Sequence, residues 1–195
     1  MAEAPGPEND YGRAEIGGMD GPIRWESLLE GDGLEGWDIK AEDPIWSRDN
    51  DAVVVSSGDS SNHAVPALRG DVSWKSFELK TQITVVRAPA VQIGFRITDA
   101  GRYVFQFLNG WKCACLCIVD DNGLTKLDVV DFVVEPGREY DLVISAREKS
   151  LVTYIDGTLV NRLTDDTYSK GGISLGVWGK NSDVRFRDPK VRHYS

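Results

Sequence analysis

Histidine is nearly absent from this 195-residue sequence, with only His63 and His193 present. That scarcity argues against a Ser–His–acid triad and against a histidine-rich metal centre. Asn-x-Ser/Thr sequons are missing altogether. No run approaches the ~18 apolar residues that span a bilayer. The opening MAEAPGPENDYGRAEIGGMDGP has no basic stretch leading into an apolar one, as a secretory signal would. Positive charge is in deficit, with 22 Lys+Arg against 31 Asp+Glu and a formal net charge of −9. Such a surface repels phosphate backbones and anionic headgroups, so neither nucleic acid nor a membrane is an expected partner. Nowhere do apolar residues keep a 3.6-residue period over three turns, which excludes a helical architecture.

What is present reads as β structure. With 41% hydrophobic and 27% charged residues the composition is that of a globular chain rather than a disordered one. Residues 1–22 hold five Gly, three Pro, five acids and one base without any hydrophobic period, and are expected to form a flexible acidic arm. The arm carries −4 of the charge and residues 23–195, expected to be one domain, carry −5. From Phe77 to Val85 apolar and polar residues alternate, the mark of a half-buried strand, and 140–144, 151–155 and 173–177 behave alike. Asn109-Gly110, Asn122-Gly123 and Asp156-Gly157 supply turn chemistry between such runs. They predict a meander over Val91–Val130, with strands 102–108, 111–119 and 124–130, and a hairpin over Leu151–Leu163. Many short strands in one domain imply a two-sheet antiparallel β-sandwich of jelly-roll type.

Several motifs resemble catalytic or metal-binding patterns without the context these need. Gly172-Ile173-Ser174-Leu175-Gly176 matches a nucleophile elbow but lies inside a β run with no helix to follow. Glu139-Tyr140-Asp141 lacks the third acid of a laminarinase-type carboxylate strand. The acidic clusters at 49–51, 120–122 and 165–166 sit at predicted turns, so calcium enters only as a divalent metal that one of them could hold. Cys113, Cys115 and Cys117 share one face of a strand, with Cα spacings of ~6.6–6.8 Å at the edge of disulfide geometry. They read as reduced, buried thiols, and with the absent signal they give a cytoplasmic expectation, or a secreted one should a longer chain precede Met1. Six Trp remain, and Trp37, Trp111 and Trp178 fall beside turns, where an indole can offer a flat face to a sugar ring.

From Ile23 to His193 these pieces resemble, in order, a concanavalin A-like (laminin G-like) sandwich. The likeness is specifically to the 3-keto-disaccharide hydrolase domain family and to levan-binding carbohydrate modules. It rests on Trp25-Glu26-Ser27-Leu28 leading to Leu34-Glu35-Gly36-Trp37, on Trp74-Lys75-Ser76-Phe77-Glu78-Leu79, on Gly94-Phe95-Arg96 with Gly101-Arg102-Tyr103-Val104-Phe105-Gln106, and on Tyr154-Ile155-Asp156-Gly157. The resemblance implies a carbohydrate ligand and, in the hydrolase-type members, action on 3-keto-glycosides. Those members usually write Tyr-Glu-x-Gln where this chain has Tyr103-Val104-Phe105-Gln106, and Asn-Ser-Gly where it has Ala90-Val91-Gln92. Without that acid no group is evident to abstract a proton or activate water. The sequence therefore leads to a non-catalytic carbohydrate-recognition module, with a site built from Arg96, Tyr103, Gln106, Trp111 and Trp178 and no cofactor. A 3-keto-glycoside hydrolase or lyase is the alternative. A protein-interaction module, docking a partner through a concave face or the N-terminal arm, is the second.

Overall fold

A computed structural model describes residues 24–39, 45–58, 67–69 and 73–194, so the expected arm at 1–22 lies outside the described residues. In chain order the strands are β1 Glu26–Ser27, β2 Ile45–Asp49, β3 Ala52–Ser56, β4 Ala67–Arg69, β5 Ser76–Arg87, β6 Ala90–Thr98 and β7 Gly101–Leu108. There follow β8 Cys113–Asp120, β9 Gly123–Asp131, β10 Glu139–Arg147, β11 Ser150–Ile155, β12 Thr158–Thr164, β13 Gly172–Trp178 and β14 Asp183–Tyr194. One sheet runs β12-β11-β10-β5-β14-β3-β2 with β1 also on β14, and the other runs β4-β13-β6-β7-β8-β9. The expected all-β, two-sheet antiparallel, concanavalin A-like sandwich is what the chain forms.

Period 2 explains the layers. Along β5, Phe77, Leu79, Ile83 and Val85 point to the core, and Phe186 and Ile144 join them from neighbouring strands. The opposing sheet contributes Ile93 and Phe95 from β6, Tyr103, Phe105 and Phe107 from β7, Leu116 from β8, and Ile173 and Leu175 from β13. Phe105 and Phe107 meet edge to face at 5.3 Å, and Phe107 stacks on Phe132 at 5.3 Å.

Two of the three turns differ from the sequence reading. Asp156-Gly157 is the expected two-residue turn, Ile155 pairing with Thr158 and both turn residues at positive φ (48° and 74°). At the second, Asp120 pairs with Gly123, so Asp121-Asn122 form the turn and Gly123, at φ 106°, is the first residue of β9. The Asp120 carboxylate fixes this by accepting the Asn122 N–H at 2.8 Å. At the third, Leu108 pairs with Cys113 and four residues intervene. Asn109–Trp111 make a 3-10 turn that ends on Lys112 in the left-handed region (φ 53°). Asn109 is anchored sideways, its Nδ2 donating to Ala88 O at 2.6 Å and its N–H to Pro89 O at 3.0 Å. Trp111 is thus a loop residue and not the first residue of a strand.

Candidate functional site

The two outer faces of the sandwich differ in kind. On the eight-stranded sheet, outward side chains pair by charge across strands. Glu78 accepts from Arg147 (3.0 Å) and Arg192 (2.6 Å), and Arg187 holds Glu139 with two bonds of 2.8 and 2.6 Å. Such ladders are ordinary cross-strand charge pairing, exposed at Arg187 and Glu139 and buried at Glu78. The six-stranded sheet presents something else.

Its register sets side chains in rows across β13, β6, β7, β8 and β9. The first outward row is Trp178, Ala90, Leu108, Cys113 and Asp131. The second is Gly176, Gln92, Gln106, Cys115 and Val129, and the third is Ser174, Gly94, Val104, Cys117 and Lys126. In these rows Asp131, on the edge strand, is the one carboxylate. Small residues dominate the β13–β6 side. A Cβ on Gly94 would lie 2.4 Å from Ser174 Oγ, so that position admits no larger side chain without displacing the serine.

At the end of this face marked by the first row stand two exposed indoles, Trp178 at 50% and Trp111 at 69%. The Lys126 ammonium lies 3.8 Å over the Trp111 ring, covering one of its faces. Below the rim the floor is polar yet buried. Gln92 Nε2 donates to Gln106 Oε1 at 3.0 Å, and Gln106 Nε2 contacts Cys115 Sγ and Cys117 Sγ, each at 3.3 Å. The Cys117 thiol donates to Cys115 Sγ at 3.5 Å. That bond, then the Gln106 N–H and the Lys126 charge, outweigh burial and hold Cys115 below the ordinary thiol range. Cys117, as the donor and buried, is pushed up. Burial, reinforced by Cys115, raises Cys113 against the pull of Lys126.

The five residues expected at the site are thus not together. Gln106, Trp111 and Trp178 share the outer face, although Gln106 is buried in its floor. Tyr103 lies three residues from Gln106 on β7, so alternation turns it to the core, stacked on Phe95 at 5.3 Å. Its hydroxyl donates to Asp165 and accepts the Tyr168 N–H at 3.2 Å. Burial, with the Asp165 contact next, pushes its pKa up to about 12. Arg96 is fully buried. The ladder slips between Phe95 and Thr98, and Arg96 takes the bulge at φ 50°. The bulge carries the guanidinium away from the outward row, to Lys75 O (3.3 and 3.0 Å) and Tyr168 O (3.0 Å). Desolvation is the main influence on its pKa, lowering it. Trp37, the third turn-flanking tryptophan, is core, its Nε1 donating to Leu28 O at 2.8 Å. Sequence reasoning passed over Gln92 and Lys126. Both follow from register once the bulges are placed, Gln92 as the cross-strand partner of Gln106 and Lys126 as that of Cys117.

Among the described residues, no three His, Cys, Asp or Glu side chains converge as a cation site. The Asp49–Asp51 turn is engaged by arginines, Arg185 on Asp49 and Arg187 on Asp51. Ser174 is a buried strand residue in β13. Two shallow grooves are also present, the second of them reaching Asp131 at the end of the first row. One, of about 310 Å³, is bounded by Trp74, His193 and Tyr194. The other, of about 490 Å³, runs past Phe132, Arg138, Tyr140 and Leu159.

The 3-keto-alpha-glucoside-1,2-lyase-like domain matches residues 24–192 of the chain. The chain belongs to that family. A curated relative, the extracellular exo-alpha-L-arabinofuranosidase of Streptomyces chartreusis, is 27% identical over 124 residues, 62% of this chain. Those residues span only 15% of that relative's length. Among solved structures, carbohydrate-binding module CBM66 from Bacillus subtilis superposes with a TM-score of 0.56 at 15% identity, covering 86% of this chain and 94% of its own. A protein named putative glycosyl hydrolase from Parabacteroides distasonis reaches a TM-score of 0.62 at 15% identity, covering 88% of this chain and 100% of its own. At such identities these structures establish the fold alone. Family and fold together make this a concanavalin A-like sandwich of a carbohydrate-active family.

Proposed function

We propose that the domain recognises carbohydrate without transforming it, through the indole rim of the six-stranded sheet's outer face. One observation carries the reading: Trp111 and Trp178, both half or more exposed, stand at the same end of the same face. With Lys126 against one side of the Trp111 ring, the solvent-facing side is left for the apolar face of a pyranose or furanose. Lys126 and Asp131 supply hydroxyl partners at the margin. Support from outside the geometry is the family membership, the curated glycosidase relative and the fold shared with a carbohydrate-binding module.

Val104 tells against catalysis. The position where the resemblance expects a glutamate is the centre of the third row, between Gly94 and Cys117, and it holds a buried aliphatic side chain. General acid–base work on a glycoside needs carboxylates, commonly two flanking the bond, and the outward rows offer Asp131 alone. Incubation of the full chain with 3-keto-glucosides and 3-keto-disaccharides, followed by mass spectrometry of the products, tests this half of the proposal. The expected result is retention of the intact substrate. Turnover that survives purification and is lost on substitution at the outer face would establish the enzyme reading instead.

A further inference from the structure

Carbohydrate stacking at the rim leaves one built feature of this face unused. Cys115 and Cys117 sit on alternate residues of β8, fully buried, with their sulfurs 3.5 Å apart. A single amide, Gln106 Nε2, donates to both at 3.3 Å, and Gln92 pins that amide from the far side at 3.0 Å. Alternate strand residues have Cα atoms ~6.6–6.8 Å apart, at the upper limit for a disulfide, so a direct S–S bond fits poorly. A bridging cation fits better. Metal–sulfur bonds of about 2.3 Å place two sulfurs roughly 3.8 Å apart in a bent arrangement and roughly 4.6 Å apart in a linear one. The present 3.5 Å contact lies just short of the bent spacing.

The surroundings select the cation. Because no three ligating side chains converge among the described residues, a four-ligand ion such as zinc is not accommodated. Two thiolates suit a soft monovalent ion content with two sulfurs. Two thiolates and one monovalent cation leave a net −1. The Lys126 ammonium, on the cross-strand partner of Cys117, stands beside the cluster to balance it. Cys113, two residues nearer the exposed Trp111, is slightly open at 6%.

We infer that Cys115 and Cys117 form a two-sulfur chelate for a soft monovalent cation of the Cu(I) class, oriented by Gln106 and charge-balanced by Lys126. Binding exchanges the thiol protons for the metal, releases them to solvent, and involves no change of oxidation state.

Anaerobic titration of the reduced full chain against Cu(I) held by a chromophoric chelator tests this. The chain is expected to withdraw one Cu(I), with X-ray absorption giving two sulfur ligands. Cys115→Ala and Cys117→Ala should each weaken binding by at least about 100-fold, and exposed Lys126→Gln by about tenfold. Melting curves without copper verify that each variant folds, and Lys126→Gln carries the test should the buried cysteine variants not fold. Failure to compete with the chelator, three or four ligands in the spectrum, equal displacement by Zn(II), or unchanged capacity in folded Cys115→Ala/Cys117→Ala would overturn the inference.

Discussion

Tyr103 and Arg96 look alike in the sequence, as polar side chains beside a suspected ligand face, and both turn out to lock one end of the sandwich. Each binds the loop that carries Tyr168, Tyr103 through the Tyr168 N–H and Arg96 through its carbonyl. Removing the Tyr103 hydroxyl strands the buried Tyr168 N–H and takes one donor from Asp165, so Tyr103→Phe should lower stability by about 1–3 kcal/mol, measured by urea unfolding at pH 7. The folded chain keeps this phenol neutral to about 12, against about 10 unfolded. The stabilisation from this shift is fully present below pH 10 and is lost as pH rises through 12. Tyr103→Phe should flatten that part of the stability–pH curve. An unchanged alkaline limb would contradict the assignment. Arg96→Met, which leaves the Lys75 and Tyr168 carbonyls unpaired, should cost about 2–4 kcal/mol in the same assay and leave the exposed rim untouched.

At the scale of elements, the bulges decide what the site is. Strand alternation was legible from residue types: Phe77 to Val85 alternates in the sequence and faces the core as that alternation demands. The same rule already separates Tyr103 from Gln106, three residues apart on one strand. A bulge is harder to read, because Arg96 at φ 50° is neither glycine nor asparagine. What marks it is Gly171 on the adjoining segment, where a Cβ would fall 2.3 Å from Ile97 O and 2.4 Å from the Arg96 carbonyl carbon. Gly171→Ala should therefore destabilise by about 3 kcal/mol or more, far beyond the ~1 kcal/mol expected for Gly157→Ala in the exposed β11–β12 turn. Thermal melts of the two variants side by side check the contrast. The Asn109 turn was misread for a related reason. Its side chain and N–H are used by Ala88 and Pro89, long-range partners that no local dipeptide rule contains.

Across the whole molecule, the sandwich has one outer face laced by cross-strand ion pairs and one on which glycines, thiols and glutamines lead up to exposed indoles. Concanavalin A-like sandwiches host binding and catalysis alike, so function must be argued from that second face. Trp111 and Trp178 contribute little to the core, being 69% and 50% exposed, so their removal separates binding from stability. Isothermal titration with a glycan captured by the wild-type chain from a mixed glycan panel is the most direct test. Trp111→Ala is expected to weaken binding at least tenfold, as is Trp178→Ala, with melting temperatures within about 2 °C of wild type. Absence of any captured glycan, or undiminished affinity in the folded double variant, would contradict the account.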